Sequence, residues 1–195
     1  MNTLSFRLAV AEDAPFLARC ITDVSAGVVD FLLEGLLPSV NVLQILTMVM
    51  RDTSSFFSHK NCVLAEKNGQ NVGLLFAYPA RDQTIPALMK AMIPSKRLQP
   101  LLDVLTASVP DSLHINTLWV DASYRGSGLS DALLDYASEW AKQQGFCKLG
   151  LFVWTDNKRA LSFYVRHSFT YVRSVAIPKS LADKHGRGDL LCCEL

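Results

Sequence analysis

The feature that most constrains this chain is a glycine-containing turn between an apolar strand and an amphipathic helix. The strand ends at Val120, the turn contains Gly126 and Gly128, and the helix begins near Leu129. Glycine adopts positive φ without strain and lets a ligand approach the backbone closely. The first amide groups of a helix have no partner within it, and together with the helix dipole they attract anions. The sequence therefore predicts a phosphate-binding turn.

The residues around this turn exclude two common phosphate-binding motifs. No Lys-Ser or Lys-Thr pair follows the glycines, so the turn is not a nucleotide P-loop. The dinucleotide pattern G-x-G-x-x-G also fails, because Asp131 stands where its third glycine would be.

The elements after the turn alternate between helix and strand. Apolar residues recur at helical spacing from Leu129 to Ala141, and Gly145 is placed to end that helix. A strand is predicted over Lys148–Trp154, and the capping cluster Thr155-Asp156-Asn157 predicts a second helix. Such alternation favours right-handed crossovers and parallel strand pairing in this half of the chain.

Two motifs in this region resemble those of the GNAT N-acetyltransferase superfamily. Arg125-x-x-Gly128-x-Ser130 is similar to the acyl-CoA motif Arg/Gln-x-x-Gly-x-Gly/Ala. Asn157-x-x-Ala160-x-x-x-Tyr164-x-x-x-Ser168-Phe169 is similar to a second signature, which usually ends in Gly-Phe. Their order and spacing make the pair specific. The resemblance covers Leu113 to Pro178 in detail, and the earlier half of the chain fits loosely.

The resemblance implies the fold and the domain organisation. It implies an α/β fold, of the α+β type with a mixed sheet. The central mixed β-sheet is expected to be splayed between two parallel strands and to have helices on both faces. A chain of 195 residues is expected to form one domain. We therefore interpret residues 1–195 as a single GNAT acetyltransferase domain with a helical insertion at about residues 81–111.

The resemblance also implies an acyltransferase that moves an acetyl group from acetyl-CoA, its co-substrate, to a primary amine by direct attack in a ternary complex. Backbone N–H groups near Val120 would stabilise the oxyanion, and those of Gly126 to Ser130 would bind the pyrophosphate. The residues expected to bind acetyl-CoA are Leu118, Trp119, Val120, Arg125, Gly126, Ser127, Gly128, Leu129, Ser130, Asn157 and Tyr164.

Tyr164 matches the family's tyrosine near the CoA sulfur. The reference pKa of tyrosine is ~10 and that of a thiol is ~8.5, so full proton transfer to the thiolate is uphill by roughly 2 kcal/mol. A hydrogen bond that strengthens as the sulfur gains charge is an equally reasonable role. A core tyrosine is the structural alternative. Asn157 would bind the pantetheine amides or cap the helix.

His114 and Asn116 are the candidate catalytic residues on the acceptor side. They share one face of the strand that ends at Val120, and the resemblance places such positions near the acceptor amine. A histidine with a pKa of ~6.5 can deprotonate an amine directly or through water. A hydrogen-bonded structural histidine is the alternative, and water suffices for an α-amine with a pKa of ~8.

Two serines depart from the family pattern. Ser130 replaces the final Gly or Ala of the first motif and is small enough to fit. Ser168 replaces the glycine before Phe169, and serine costs roughly 1 kcal/mol there if the position is left-handed.

Composition restricts the partners and the compartment. A formal charge of +1 gives no electrostatic reason to expect nucleic acid or a membrane as partner. Half of the residues are hydrophobic, which fits either a larger core or a homodimer face. No stretch predicts a membrane span. The five cysteines have no C-x-x-C spacing, so a cytoplasmic protein with reduced thiols and no metal is expected.

The remaining segments predict further helices and strands, but they do not identify the acceptor. A strand over 5–10, a helix after Pro15, helices within 28–50 and a hairpin around Asn68-Gly69 precede the insertion. Closing strands are expected over 170–177 and 189–194, joined by a loop. Substrate choice is expected to reside in residues 27–58 and 81–111. The second segment is expected over the acceptor end of the cleft, and the alternative is that its apolar residues pack on the sheet or against a second subunit.

Two other functions stay open from the sequence. One is a non-catalytic acyl-CoA-binding or regulatory module on the same fold, because fold does not fix function. The other is a transferase of a longer acyl group.

Overall fold

A computed structural model of the chain describes residues 4–195, apart from the side chain of Ser180. These residues contain the following strands and α-helices. The strands are β1 (Leu4–Leu8), β2 (Cys62–Lys67), β3 (Gln70–Pro79), β4 (Leu113–Val120), β5 (Lys148–Trp154), β6 (Thr170–Val175) and β7 (Gly188–Glu194). The α-helices are α1 (Ala14–Val24), α2 (Val28–Leu33), α3 (Val42–Arg51), α4 (Ala87–Met92), α5 (Ser95–Leu98), α6 (Leu102–Leu105), α7 (Leu129–Gln143), α8 (Lys158–Arg166) and α9 (Lys179–His185).

The strands form one mixed sheet in the order β1-β2-β3-β4-β5-β7-β6, with the helices around it. This is the α/β fold with a mixed sheet that the sequence predicts. By its internal contacts the chain divides into two compact units. The first holds residues up to Ala77, 86–94 and 117–136, and the second holds 78–85, 95–116 and 137–195. The single-domain interpretation stays a prediction.

The first unit is built on an antiparallel meander. β1 pairs with β2 and β2 with β3, and the hairpin between β2 and β3 turns through Asn68 and Gly69. Both residues have positive φ, 54° and 73°, as the tight hairpin turn requires. Gly73 of β3 brings the sheet close to α7, because an added Cβ would lie 3.0 Å from Leu133.

The second unit contains the parallel pair and a correction to the expected topology. β4 and β5 are parallel, with Leu113–Ile115 paired to Leu149–Leu151. The prediction of parallel pairing does not extend further, because β7 lies between β5 and β6 and is antiparallel to both. The local periodicity of a sequence does not indicate which strand the final strand pairs with.

The paired residues of β4 and β5 place the candidate catalytic residues of β4. His114 pairs with Gly150 of β5, and Asn116 follows Ile115, which pairs with Leu151.

The segment expected as a loop between the closing strands contains α9. Only Leu181 of this helix is a buried hydrophobic residue, so its sequence shows little apolar periodicity. Pro178 at its start and Gly186 at its end, the latter with a φ of 72°, are the signals that mark it.

The segment predicted as a helical insertion contains the short helices α4, α5 and α6. After α6, Ala107 and Val109 pack with Val175, Leu190 and Cys192 in the core of the second unit. Across residues 4–195, no helix is long and apolar enough to span a membrane.

Candidate functional site

The glycine turn, residues 125–130, has the backbone conformation that the sequence predicts. Gly126 and Gly128 have φ values of 81° and 84°, in the left-handed region that favours glycine. A Cβ added at either glycine would meet no heavy atom within 4 Å. The glycines therefore allow the backbone conformation of the turn, and they leave the space beside it that a bound ligand requires.

Short-range hydrogen bonds hold the turn in this shape. The Ser127 amide and hydroxyl both donate to the Tyr124 carbonyl oxygen, at 3.2 Å and 2.7 Å. The Ala132 amide donates to Gly128 O at 3.0 Å and begins the hydrogen-bond ladder of α7. The first amides of a helix are not used by its own carbonyl ladder, so the start of α7 is suited to bind an anion. Arg125 is exposed beside them.

The end of β4 is anchored within the first unit. The Trp119 indole donates to Asp23 Oδ2 of α1 at 3.2 Å, and its ring contacts Phe16 edge-on. The Asp121 amide donates to Val72 O of β3 at 3.0 Å. Leu118 is half-buried, and Val120 is buried. The backbone that leads into the turn is therefore fixed from two sides.

The structure adds a basic residue beside the turn that the sequence does not mark. Lys67 Nζ, at the end of β2, lies 5.0 Å from the centroid of the Tyr124 ring. Tyr124 is the residue whose carbonyl oxygen holds Ser127. No short motif predicts this contact, because it depends on where the β2–β3 hairpin lies in the first unit.

Tyr164 lies in the second unit on the buried face of α8. Its ring contacts Phe163 and Phe169, each with centroids 5.2 Å apart, and 9% of the residue is exposed. Burial raises the pKa of the Tyr164 phenol well above its ordinary value. The hydroxyl therefore stays protonated and is a hydrogen-bond donor.

Asn157 and Ser168 define the two ends of α8. Asn157 Oδ1 accepts from the Ala160 amide at 3.1 Å, which is the capping role. Ser168 has a φ of 64°, so the residue that replaces the family's glycine does occupy the left-handed region. The Phe169 amide then donates back to Tyr164 O at 3.0 Å, which fixes the end of the helix against Tyr164.

His114 is buried in β4 of the second unit. It is 2% exposed, and its ring centroid lies 5.7 Å from that of Tyr78. Within the described residues, the buried Nδ1 atom has no hydrogen-bond partner. Burial lowers the pKa of His114 to about 4, so its imidazole is neutral at physiological pH.

Asn116 belongs to a hydrogen-bonded chain that the sequence does not predict. Its Nδ2 donates to Tyr78 Oη at 2.9 Å. The Tyr78 hydroxyl donates to Gln83 Oε1, and Gln83 Nε2 donates to Leu105 O at 3.0 Å. We call Tyr78, Gln83, His114 and Asn116 the polar cluster. Tyr78 and Gln83 were missed because nothing local in the sequence links them to β4.

The backbone amide donors at the glycine turn suit an anionic ligand. Among residues 4–195, no group of three or more His, Cys, Asp or Glu side chains could hold a metal ion. The acetyltransferase (GNAT) family matches the chain over residues 44–169, which is more than half of its length and includes the turn, β4 and Tyr164. The chain belongs to the GNAT acetyltransferase family.

A curated protein of similar sequence agrees with the assignment of this chain to the GNAT family. An uncharacterized N-acetyltransferase of Methanocaldococcus jannaschii is 40% identical over 55 residues. That match covers 28% of this chain and 24% of the relative, so the chain spans about a quarter of the curated protein it matches.

Solved structures show the same fold along nearly the whole chain. An N-acetyltransferase from Staphylococcus aureus Mu50 aligns with a TM-score of 0.73 and 21% identity, over 97% of this chain and 100% of the other. Arabidopsis thaliana Naa50, in complex with the bisubstrate analogue CoA-Ac-MVNAL, aligns with a TM-score of 0.55 and 17% identity. That alignment covers 98% of this chain and 99% of the other.

Proposed function

We propose that this GNAT protein is an acetyl-CoA-dependent N-acetyltransferase that acetylates a primary amine. The observation that carries the proposal is the glycine turn, where two positive-φ glycines with open space beside them precede the N-terminus of α7. Such an arrangement favours a phosphate group, because the first amides of the helix point outward and the helix dipole attracts negative charge.

The cofactor-binding role is proposed for the residues predicted from the sequence. The amides of Gly126 to Ser130 would bind the pyrophosphate, and exposed Arg125 would add a positive charge beside it. The backbone amide near Val120 would donate to the acyl oxygen as that oxygen gains charge. When bound, acetyl-CoA supplies an activated thioester acyl group.

Tyr164 is proposed to stabilise the leaving thiolate by hydrogen bonding. Its pKa is raised by burial, so full transfer of its proton to sulfur is even less favourable than the reference values suggest. Donation of a hydrogen bond needs no such transfer, and it strengthens as charge develops on the sulfur. Asn157 would bind pantetheine only in addition to its capping bond.

The acceptor amine is proposed to react on the side of His114 and Asn116. The amine nitrogen forms a bond to the acyl carbon, the carbon–sulfur bond breaks, CoA leaves as thiolate, and an amine proton passes to water. With a pKa of about 4, protonating His114 at pH 7 costs about 4 kcal/mol. We therefore propose that neutral His114 accepts a hydrogen bond and that water removes the proton.

Two further points support the broader proposal. Arabidopsis Naa50, which shares the fold, was solved in complex with the bisubstrate analogue CoA-Ac-MVNAL. The five cysteines are free, which fits a reducing compartment, and we expect the protein in the cytoplasm. A homodimer remains a prediction from composition.

The proposal is tested by titrating the protein with acetyl-CoA in a calorimeter and by assaying CoA thiol release with a panel of amines. Binding together with amine-dependent thiol release is the expected result. Binding without release by any amine would favour a non-catalytic acyl-CoA module. A panel of thioesters with longer acyl chains would show whether acetyl is the preferred group.

A further inference from the structure

Lys67 lies against the residue that shapes the glycine turn. Its Nζ atom is 5.0 Å from the centroid of the Tyr124 ring, within the distance over which an aromatic face attracts a cation. Tyr124 directly precedes Arg125, and its carbonyl oxygen accepts from both the amide and the hydroxyl of Ser127. The ring that holds Lys67 and the backbone that forms the turn therefore belong to one residue.

The Lys67 ammonium has no carboxylate partner that would oppose its charge. Among residues 4–195, it forms no ion pair. Glu66, its neighbour on β2, is paired with Arg7, whose Nε donates to Glu66 Oε1 at 2.8 Å. An aromatic ring holds a cation in place without adding a negative charge. Lys67 is thus positioned beside the turn while its charge stays available to an anion.

The turn itself has little net positive charge. Arg125 is the one charged residue within residues 125–130. Asp131, in the first turn of α7, brings a negative charge to the same end of the helix. The backbone amides contribute hydrogen bonds and only partial charges. A further cation would therefore increase the affinity of the turn for a multiply charged phosphate ligand.

We propose that Lys67 is a second cation of the pyrophosphate site and that the Tyr124 ring holds it there. The inference rests on the proposed function and adds the end of β2 to the residues that bind the ligand's phosphates. Lysine binds phosphate as a point charge on a flexible stem, so Nζ can contact the ligand and stay close to the ring. Tyr124 is a positioning residue that acts through Lys67.

The first test is the Kd of Lys67→Gln for acetyl-CoA, measured by calorimetry. Glutamine removes the charge and keeps a polar side chain, and we expect the Kd to rise about fivefold. Lys60→Gln is the matched control, because Lys60 is an exposed lysine just before the opposite end of the same strand. A rise in Lys67→Gln no larger than in Lys60→Gln would overturn the inference.

The dependence of binding on salt tests whether the charge of Lys67 is responsible. Raising the salt concentration from about 0.05 M to about 0.5 M should weaken binding by the wild type more than binding by Lys67→Gln, because salt screens the charge that the variant lacks. Equal salt dependences of the two proteins would overturn the electrostatic role.

A second ligand tests which phosphate group Lys67 contacts. Acetyl-dephospho-CoA keeps the pyrophosphate and lacks the 3′-phosphate. The difference of about fivefold between the wild type and Lys67→Gln should persist with this ligand. A difference that disappears with it would place Lys67 at the 3′-phosphate and overturn the assignment to the pyrophosphate.

Variants of Tyr124 test the positioning role. Tyr124→Phe keeps the ring beside Lys67 and should change the Kd for acetyl-CoA less than about twofold, whereas Tyr124→Leu removes the ring and should raise it about threefold. In the Lys67→Gln background the effect of Tyr124→Leu should be smaller, because the ring acts through the cation. Equal effects of Tyr124→Leu in the two backgrounds would overturn this role.

The outcomes separate this inference from the proposed function. Failure of the wild-type protein to bind acetyl-CoA would overturn the proposed function. Binding by the wild type together with equal binding by Lys67→Gln would overturn the inference alone. If Tyr124→Leu fails to fold, Lys67→Gln and its salt dependence supply the readout from a half-buried side chain at the end of β2.

Discussion

The glycine turn and the polar cluster differ in what forms them. The turn is exposed and depends on backbone conformation, with two positive-φ glycines and hydrogen bonds between residues close in sequence. The polar cluster is largely buried and depends on side chains from β3, β4 and the segment between them. The proposed phosphate site thus requires little beyond a local backbone shape, whereas the polar cluster depends on long-range packing.

The largest effect is expected for Gly128→Glu. The side chain would force a residue with a φ of 84° to leave its conformation and would place a negative charge in the proposed phosphate site. We expect acetyl-CoA affinity to fall by at least about 10³-fold, or about 4 kcal/mol, measured by calorimetry.

Gly145→Glu is the matched control for this change. Gly145 has a φ of 81° and equally open surroundings, but it follows the C-terminus of α7. Similar backbone strain with unchanged acetyl-CoA affinity is expected there. Equal affinities of the two variants would contradict the assignment of the turn.

His114 gives the polar cluster a measurable pH dependence. Its folded pKa, about 4, lies below the unfolded value of about 6.5, so the unfolded state binds more protons between these values. The free energy of unfolding should therefore fall as the pH is lowered from 6.5 to 4, by about 3 kcal/mol from this residue.

The measurement is denaturant unfolding of the wild type and His114→Gln across that pH range. The variant should lose about 3 kcal/mol less than the wild type between pH 6.5 and 4, whatever its stability at pH 7. If the free energies of unfolding of the two proteins fell equally with pH, His114 would have its ordinary pKa in the folded protein. That result would contradict the burial that distinguishes the polar cluster from the glycine turn.

Tyr164→Phe tests whether a side chain of α8 acts in the reaction and not in binding. The hydroxyl is proposed to act as charge develops on sulfur, so kcat should fall on the order of 10²-fold while the Kd for acetyl-CoA changes little. Steady-state kinetics and calorimetry measure the two quantities. An unchanged kcat with chemistry rate-limiting would remove Tyr164 from the mechanism.

The smallest effect is expected for Ser168→Gly, which restores the family's usual residue at a φ of 64°. The free energy of unfolding should rise by about 1 kcal/mol, because glycine adopts this conformation without strain. Ser168→Ala keeps the Cβ and should give no such gain. Chemical denaturation compares the three proteins, and a gain in the alanine variant would attribute the effect to the hydroxyl.

Local sequence patterns predicted the elements around the proposed acetyl-CoA site. The helical periodicity after Gly128 begins and ends where α7 does, and the strands β4 and β5 have the predicted bounds. The left-handed glycines and Ser168 follow from their positions in turns and caps. These features depend on neighbours along the chain, so one sequence suffices to predict them.

Long-range features could not be predicted in this way. β7 lies between β5 and β6, and tertiary packing determines which strands it pairs with. Helix α9 was not predicted because it has only one buried hydrophobic side chain. The bond from Tyr78 to Asn116 joins residues on different strands, and Gln83 enters from the following segment. The burial that makes His114 neutral likewise results from tertiary packing.

Release of CoA thiol from acetyl-CoA in an acceptor screen tests the central claim most directly. The account predicts thiol release that depends on an amine and that falls on the order of 10²-fold in Tyr164→Phe. No amine-dependent release by a folded protein that binds acetyl-CoA would contradict it.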